Sequence, residues 1–132
     1  MNRDTILVVD DNKDNLDLML VTLSQKNYRL LASTSGEKAL ELIERVKPDL
    51  ILMDIQMNGM DGFTTTRKIK QRDDLKHIPV LFLSALNDME TIIECFESGG
   101  VDYISKPFQE EELLARVRTH LSLKKLRERT TK

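Results

Sequence analysis

Ile6-Leu7-Val8-Val9-Asp10-Asp11 and Leu50-Ile51-Leu52-Met53-Asp54 are two short apolar runs, each closed by acid. Such runs are too short for helices. Their near-continuous apolarity, rather than alternation, marks strands covered on both faces, as in a parallel sheet. A carboxylate at the carboxyl end of such a strand projects into the crevice where open α/β sheets bind their ligands. Three carboxylates in one crevice repel one another, and at about 4 Å each pair costs roughly 4 kcal/mol even at the effective dielectric of a protein surface. A hard divalent ion such as Mg²⁺, which takes carboxylates together with waters and substrate phosphate, removes that cost. Asp10, Asp11 and Asp54 therefore outline a candidate phosphoryl-transfer site.

Working outward, Tyr28–Ala32, Val80–Leu83 and Tyr103–Ile104 repeat the pattern, with helical segments between the runs. Thr34-Ser35-Gly36-Glu37 offers a capping box ahead of Ala39, Leu40, Leu42, Ile43 and Val46, and Pro48 ends that helix. Asp61-Gly62 opens another, reaching to about Gln71. Asn87 or Asp88 caps a helix bearing Met89, Ile92, Ile93 and Phe96 at helical spacing, closed by Gly99-Gly100. The last helix begins near Gln109, and Leu113, Leu114, Val117, Leu121, Leu123 and Leu126 carry its pattern to about Arg129. At 1.5 Å per residue it would be roughly 30 Å long, more than a five-stranded sheet needs, so its end is expected to leave the domain. A β-α repeat with right-handed crossovers gives a doubly wound α/β fold.

A chain of 132 residues is one domain by length, and it buries a single core without disulfides. The lone Cys95 excludes a disulfide framework, and no apolar run approaches a membrane span. Met1-Asn2-Arg3-Asp4-Thr5 leaves no room for a signal peptide ahead of the first strand, so a reducing, cytoplasmic location is expected. The net charge is −2; Leu123–Lys132 carries five basic residues and one acidic, which leaves −6 for residues 1–122. An acidic body argues against direct nucleic-acid binding, whose affinity comes mainly from phosphate neutralisation. Residues 4–122 read as one domain, and 123–132 as a basic helical extension or linker towards an output module.

Two further residues sit at strand ends beside the acids. Ser84 closes the fourth run, where a hydroxyl donates to a phosphoryl oxygen, and Lys106 closes the fifth, where an ammonium pairs with the same group. The Lys106-Pro107 bond is a candidate cis peptide, a feature of tight turns.

Taken together, Asp10-Asp11, Asp54, the loop Met57-Asn58-Gly59-Met60-Asp61-Gly62, Ser84-Ala85 and Tyr103-Ile104-Ser105-Lys106-Pro107-Phe108 resemble the receiver domain of two-component response regulators. The resemblance covers residues 4 to about 122, and the intervals Asp11 to Asp54 (43), Asp54 to Ser84 (30) and Ser84 to Lys106 (22) match it. It implies a flavodoxin-like five-stranded parallel sheet of order 2-1-3-4-5, with helices on both faces and the extended C-terminal helix. Asp54 would be the phosphoacceptor. Asp11, Asp54 and the backbone carbonyl of Gln56 would bind Mg²⁺, with Asp10 acting through a metal-bound water. Lys106 would pair with Asp54 and the phosphoryl oxygens, Ser84 would bond the phosphoryl group, and Tyr103 would be the rotating aromatic switch. Leu86 would flank the path of the hydrolytic water and help exclude it. Asn58 departs from the resemblance, standing where the loop usually holds Pro, and is expected to loosen the turn without touching the chemistry.

Each residue has a blander reading. Asp10-Asp11 alone fits an N-cap and a first-turn acid favoured by the helix dipole. Ser84, Lys106 and Tyr103, seen singly, are ordinary surface and edge residues. His77 and His120 read as surface positions, Cys95 as a small packing residue and the methionines as filler. Two rivals use a similar sheet. A Mg²⁺-dependent aspartyl-phosphate phosphohydrolase would carry a second acid where Gln56 stands, and a flavodoxin would carry a Ser/Thr/Gly-rich phosphate loop where the chain has acids. The domain is not read as an enzyme beyond catalysing its own phosphorylation and dephosphorylation, although a hybrid histidine kinase or another larger enzyme could contain it.

The partner implied by the resemblance is a histidine kinase or histidine phosphotransfer domain. Leu16, Leu18, Met19, Leu20, Val21 and Leu23 are more apolar than one core stripe requires, so some face outward as scattered leucines or as a docking patch for that partner. A phosphorylation-dependent homodimer through the last two helices is a further expectation, with Arg116 and Arg118 near Asp102 and Glu111. No membrane association is expected.

Overall fold

The computed structural model of the chain describes residues 3–130; Met1 and Asn2, and the last two residues of the 123–132 extension, lie outside the described residues. Five strands alternate with five helices among these residues: β1 (Thr5–Val9), α1 (Lys13–Leu23), β2 (Arg29–Ser33), α2 (Gly36–Arg45), β3 (Leu50–Asp54), α3 (Gly62–Lys70), β4 (Val80–Ser84), α4 (Met89–Glu97), β5 (Asp102–Ser105) and α5 (Glu110–Thr130). All neighbouring strands pair in parallel, in the order β2-β1-β3-β4-β5, with Leu7 beside Ile51, Met53 beside Phe82 and Ser84 beside Ser105.

The three central strands, β1, β3 and β4, are buried along their whole length, which is why their sequences are continuously apolar. Successive residues point to opposite faces. Ile6, Val8, Leu50, Leu52, Leu81 and Leu83 pack with α1 and α5, through Leu16, Met19, Leu113 and Val117. Leu7, Val9, Ile51, Met53 and Phe82 pack with α2, α3 and α4, through Ala39, Ile43, Ile69 and Cys95. Truncating one such fully buried residue, as in Leu52→Ala, is expected to cost roughly 2–5 kcal/mol.

The helix ends follow the sequence expectation at α4 and differ from it at α2. The cap of α1 is Asn12, whose side chain accepts from the Asn15 N–H, so neither Asp10 nor Asp11 is spent on capping. The cap of α2 is Ser35, accepting from Lys38 N–H at 3.1 Å, and not Thr34. With the cap one residue later, Glu37 is not placed to close the box and instead accepts from the Met60 N–H at 3.3 Å. Asp88 caps α4, whose stripe of Met89, Ile93 and Phe96 faces solvent at 70%, 47% and 50% exposure, while Cys95 carries its buried face. Gly99 follows with φ +112°, a left-handed position that suits glycine after a helix.

Helix α5 remains tied to the domain beyond Leu121. Lys124 is buried and meets Asp49 and Glu128, and Lys125 meets Asp4 at 2.9 Å. Leu123 and Leu126 are exposed. Arg116 grips Asp102 at 2.8 and 2.9 Å and reaches Glu112 rather than Glu111, while Arg118 is exposed. His120 is not the surface residue its position suggested: it is half-buried and shares a 2.9 Å hydrogen bond with Asp102.

Candidate functional site

The carboxyl ends of β1, β3, β4 and β5 meet around a cleft of about 270 Å³ lined by Asp10, Asp11, Asn12, Asn15, Asp54, Gln56, Ser84, Ala85 and Lys106. Parallel pairing produces this convergence, because every strand delivers its last residue to the same rim. Asp10 is fully buried; its backbone N–H extends the β1–β2 ladder to Ser33, and one carboxylate oxygen accepts from Asn12 N–H at 2.9 Å. Asp54, the last residue of β3, is 7% exposed. One carboxylate oxygen from each of Asp10, Asp11 and Asp54 lies within 4.8 Å of the others.

Lys106 crosses from the other side of the cleft. Its backbone N–H bonds the Ser84 carbonyl, which sets the residue next to β4, and the following peptide bond to Pro107 is cis. Its ammonium bridges two of the three acids, donating to Asp10 at 2.8 Å and to Asp54 at 3.0 Å. Burial alone would lower the Lys106 pKa, but the hydrogen bonds and charges of Asp10 and Asp54 outweigh it and raise it. Asp54 moves the other way from a usual ion-paired acid: burial first, then the nearby Asp10 and Asp11 charges, push it up to about 6 against the opposing pull of Lys106. One cation against three carboxylates leaves the cluster short of positive charge. The donors are all oxygen, with no thiolate or imidazole among them, and that set fits a hard divalent cation.

Ser84 is buried, and its hydroxyl oxygen accepts from the Leu86 N–H at 3.0 Å, closing a tight turn at the start of the β4–α4 loop. Tyr103 is half-buried on β5, and its hydroxyl donates to the Leu86 carbonyl and, at 3.3 Å, to the Ser84 carbonyl. Ser84 thus lines the cleft directly, whereas Tyr103, Leu86 and Pro107 do not. His77 and His120 are elsewhere, the first beside Lys124, Arg127 and Glu128 and the second on Asp102.

Three residues that contribute to the cleft escaped sequence reasoning. Asn12 and Asn15 line the cleft because α1 begins there; the signal was a capping Asn three residues before a second Asn. The other is the backbone of Asn58, whose N–H donates to Asp11 Oδ2 at 2.9 Å. The Asn58 backbone thus reaches one of the three clustered acids, a contact that a proline there could not make because it has no N–H to give.

A family model described as the response regulator receiver domain matches residues 6–118. Response regulator PleD of Caulobacter vibrioides is 41% identical over 114 residues, covering 86% of this chain and 25% of that protein. A protein of Vibrio cholerae serotype O1 named as a probable cyclic di-GMP phosphodiesterase is 42% identical over 121 residues, covering 92% of this chain and 27% of that one. The chain thus spans about a quarter of the length of these relatives. Among solved structures, that of a putative response regulator from Chloroflexus aurantiacus superposes with a TM-score of 0.89 at 34% identity, covering 92% of this chain and 99% of that one.

Proposed function

The chain belongs to the response regulator receiver domain family, and on that premise we propose that Asp54 is the residue phosphorylated and that a histidine kinase or histidine phosphotransfer domain is the donor. The observation that carries the assignment is the Lys106 ammonium bridging Asp10 and Asp54, with Asp11 within reach of both. A receiver must hold a nucleophilic carboxylate beside a fixed cation in a site otherwise too negative to accept a phosphoryl group, and this arrangement provides that.

In the proposed reaction an oxygen of Asp54 attacks phosphorus as the bond from phosphorus to the donor's imidazole nitrogen breaks, and the departing imidazole takes up a proton. Asp11, Asp54 and the Gln56 backbone carbonyl would hold Mg²⁺ directly, with Asp10 linked through a bound water. That ion, when bound, offsets charge on the carboxylates and on the transferred group. Lys106 is already fixed by Asp10, so it meets the incoming phosphoryl oxygens without reorganising; positioning and electrostatics suffice for this class of transfer. The product is a mixed anhydride carrying about −2 charge. Ser84 would exchange its Leu86 N–H partner for a phosphoryl oxygen, donating its hydroxyl proton. The β4–α4 loop would then shift, and Tyr103 would turn inward with it. The phosphoryl group biases this equilibrium only as far as it interacts differently with the two states.

Leu18 and Val21, exposed on α1, provide the outward apolar patch for the phosphodonor. Residues 4–122 form the body of the receiver, and α5, still held to it through Lys124 and Lys125, continues from 123 towards an output module. The Vibrio relative's name supports a signalling enzyme as one such setting. The receiver would catalyse its own phosphorylation and dephosphorylation and act in the cytoplasm. Among the described residues no helix is long and apolar enough to cross a membrane.

The test is chemical. Acetyl phosphate with Mg²⁺ should add one acid-stable, base-labile phosphoryl group, mapped by mass spectrometry to Asp54. Asp54→Asn should accept none, and labelling of that variant at another cleft residue would move the assignment.

A further inference from the structure

The side chain of Asn58 is in an exposed residue of the β3–α3 loop, yet its backbone reaches the acidic cluster. The loop is held at two points by carboxylates from other elements: Asn58 N–H by Asp11 Oδ2 at 2.9 Å, and Met60 N–H by Glu37 of α2 at 3.3 Å. Between them Gly59 has φ +78°, the left-handed turn that brings both amides to their acceptors, and Asp61 then caps α3 through Thr64 N–H at 2.8 Å. Asp11 lacks the ammonium partner that Asp10 and Asp54 share. Repulsion from those two acids would turn a partly exposed carboxylate out to water. In this structure it stays: the Asn58 bond is made while an Asp11 oxygen remains within 4.8 Å of the other two acids.

We propose that the Asn58 backbone N–H is a positioning group for Asp11, holding its carboxylate in the geometry from which it binds Mg²⁺ and linking cation binding to the β3–α3 loop. The inference rests on the metal assignment above. A carboxylate has lone pairs enough to accept the amide and ligate a cation at once. Hydrogen-bond partners of ligating groups typically contribute about 10–100-fold in metal affinity; a single neutral donor at an exposed loop belongs at the low end of that range.

The experiment is a Mg²⁺ titration of the full chain by calorimetry, without phosphodonor. Asn58→Pro, which removes the N–H, should weaken binding about tenfold, while Asn58→Ala, which keeps it, should restore affinity to within about twofold of wild type. In an Asp11→Asn background the proline substitution should lose most of its effect. A second readout needs no proline: amide exchange at residue 58 should be slow in wild type, slow with Mg²⁺ added, and faster in Asp11→Ala, which leaves the N–H no side-chain acceptor. Proline-variant affinity equal to or above wild type, or residue 58 exchange indifferent to Asp11→Ala, would overturn the proposal while leaving the metal site intact. Wild type that binds no Mg²⁺, or binds it equally well without Asp11, would overturn both.

Discussion

The hydroxyl of Tyr103 donates to the backbone carbonyl of Leu86, two residues past Ser84, whose own hydroxyl accepts from the Leu86 N–H. One residue of the β4–α4 loop is thus held from both sides, its N–H by the cleft serine and its carbonyl by the strand tyrosine. Tyr103→Phe removes the second tether only. Amide exchange over residues 86–88 should quicken in the unphosphorylated protein, while the rate of phosphorylation by acetyl phosphate changes little. Unchanged exchange would mean the ring, and not its hydroxyl, holds the loop.

Leu86 also bears on how long the phosphoryl group persists. Its side chain is 39% exposed and has no group to orient water. A phosphorylated state lasting minutes or longer is expected, and Leu86→Glu should shorten it, because the new carboxylate can orient and activate water. The decay of acid-quenched, labelled protein measures this, and equal or longer persistence in the variant would exclude Leu86 from the water path.

Stability should depend on pH through Asp54. Burial, reinforced by Asp10 and Asp11, puts its folded pKa at about 6, above the unfolded value, so the folded protein binds the proton more tightly. Stability of the metal-free protein should therefore fall as pH rises from about 4 through about 6. Asp54→Asn removes that burden and should stabilise the fold at pH 8 by up to about 3 kcal/mol, with the gain gone at pH 4. Urea unfolding in chelator at the two pH values reads the difference; a gain that does not shrink on acidification would contradict it.

Metal ligation is expected to separate the neighbouring acids. Asp11→Asn should weaken Mg²⁺ binding and slow phosphorylation more than Asp10→Asn, because Asp10 is committed to Lys106 and Asn12. Calorimetric titration compares them, and equal losses would mean the two roles are shared.

Output should pass through α4 and α5. Phosphorylation is expected to favour a two-fold dimer across this face, with Met89, Ile93 and Phe96 supplying exposed apolar area. Light scattering with beryllofluoride and Mg²⁺ should show the mass doubling, and Phe96→Asp, a surface change of small cost to the fold, should prevent it. A monomer at high concentration with beryllofluoride bound would rule this interface out.

The sheet was legible because β1, β3 and β4 are buried on both faces and so read as unbroken apolar runs ending in polar residues. The acids, Ser84 and Lys106 were legible as side chains at those ends, and all line one cleft. What escaped reading depended on the backbone or on competition between neighbours. Ser35 rather than Thr34 caps α2 by a one-residue difference in where the chain turns, which redirected Glu37 to Met60. The sequence marked Asn58 as standing in place of a proline, and so as gaining an N–H, but not where that N–H would point. Helical spacing detected the α4 stripe, but spacing reports an apolar face and not what covers it.

Asp102 and Tyr103 are joined by one peptide yet face opposite sides of the sheet. The first is clasped on α5 by Arg116 and His120, and the second lies against the β4–α4 loop. The two are coupled further by the Tyr103 N–H, which bonds the Asp102 carboxylate at 2.8 Å. A tilt of β5 that moved the ring on one side would carry with it the carboxylate, and the long helix gripping it, on the other. As an edge strand of four residues paired only with β4, β5 is one of the two strands of the sheet held from a single side.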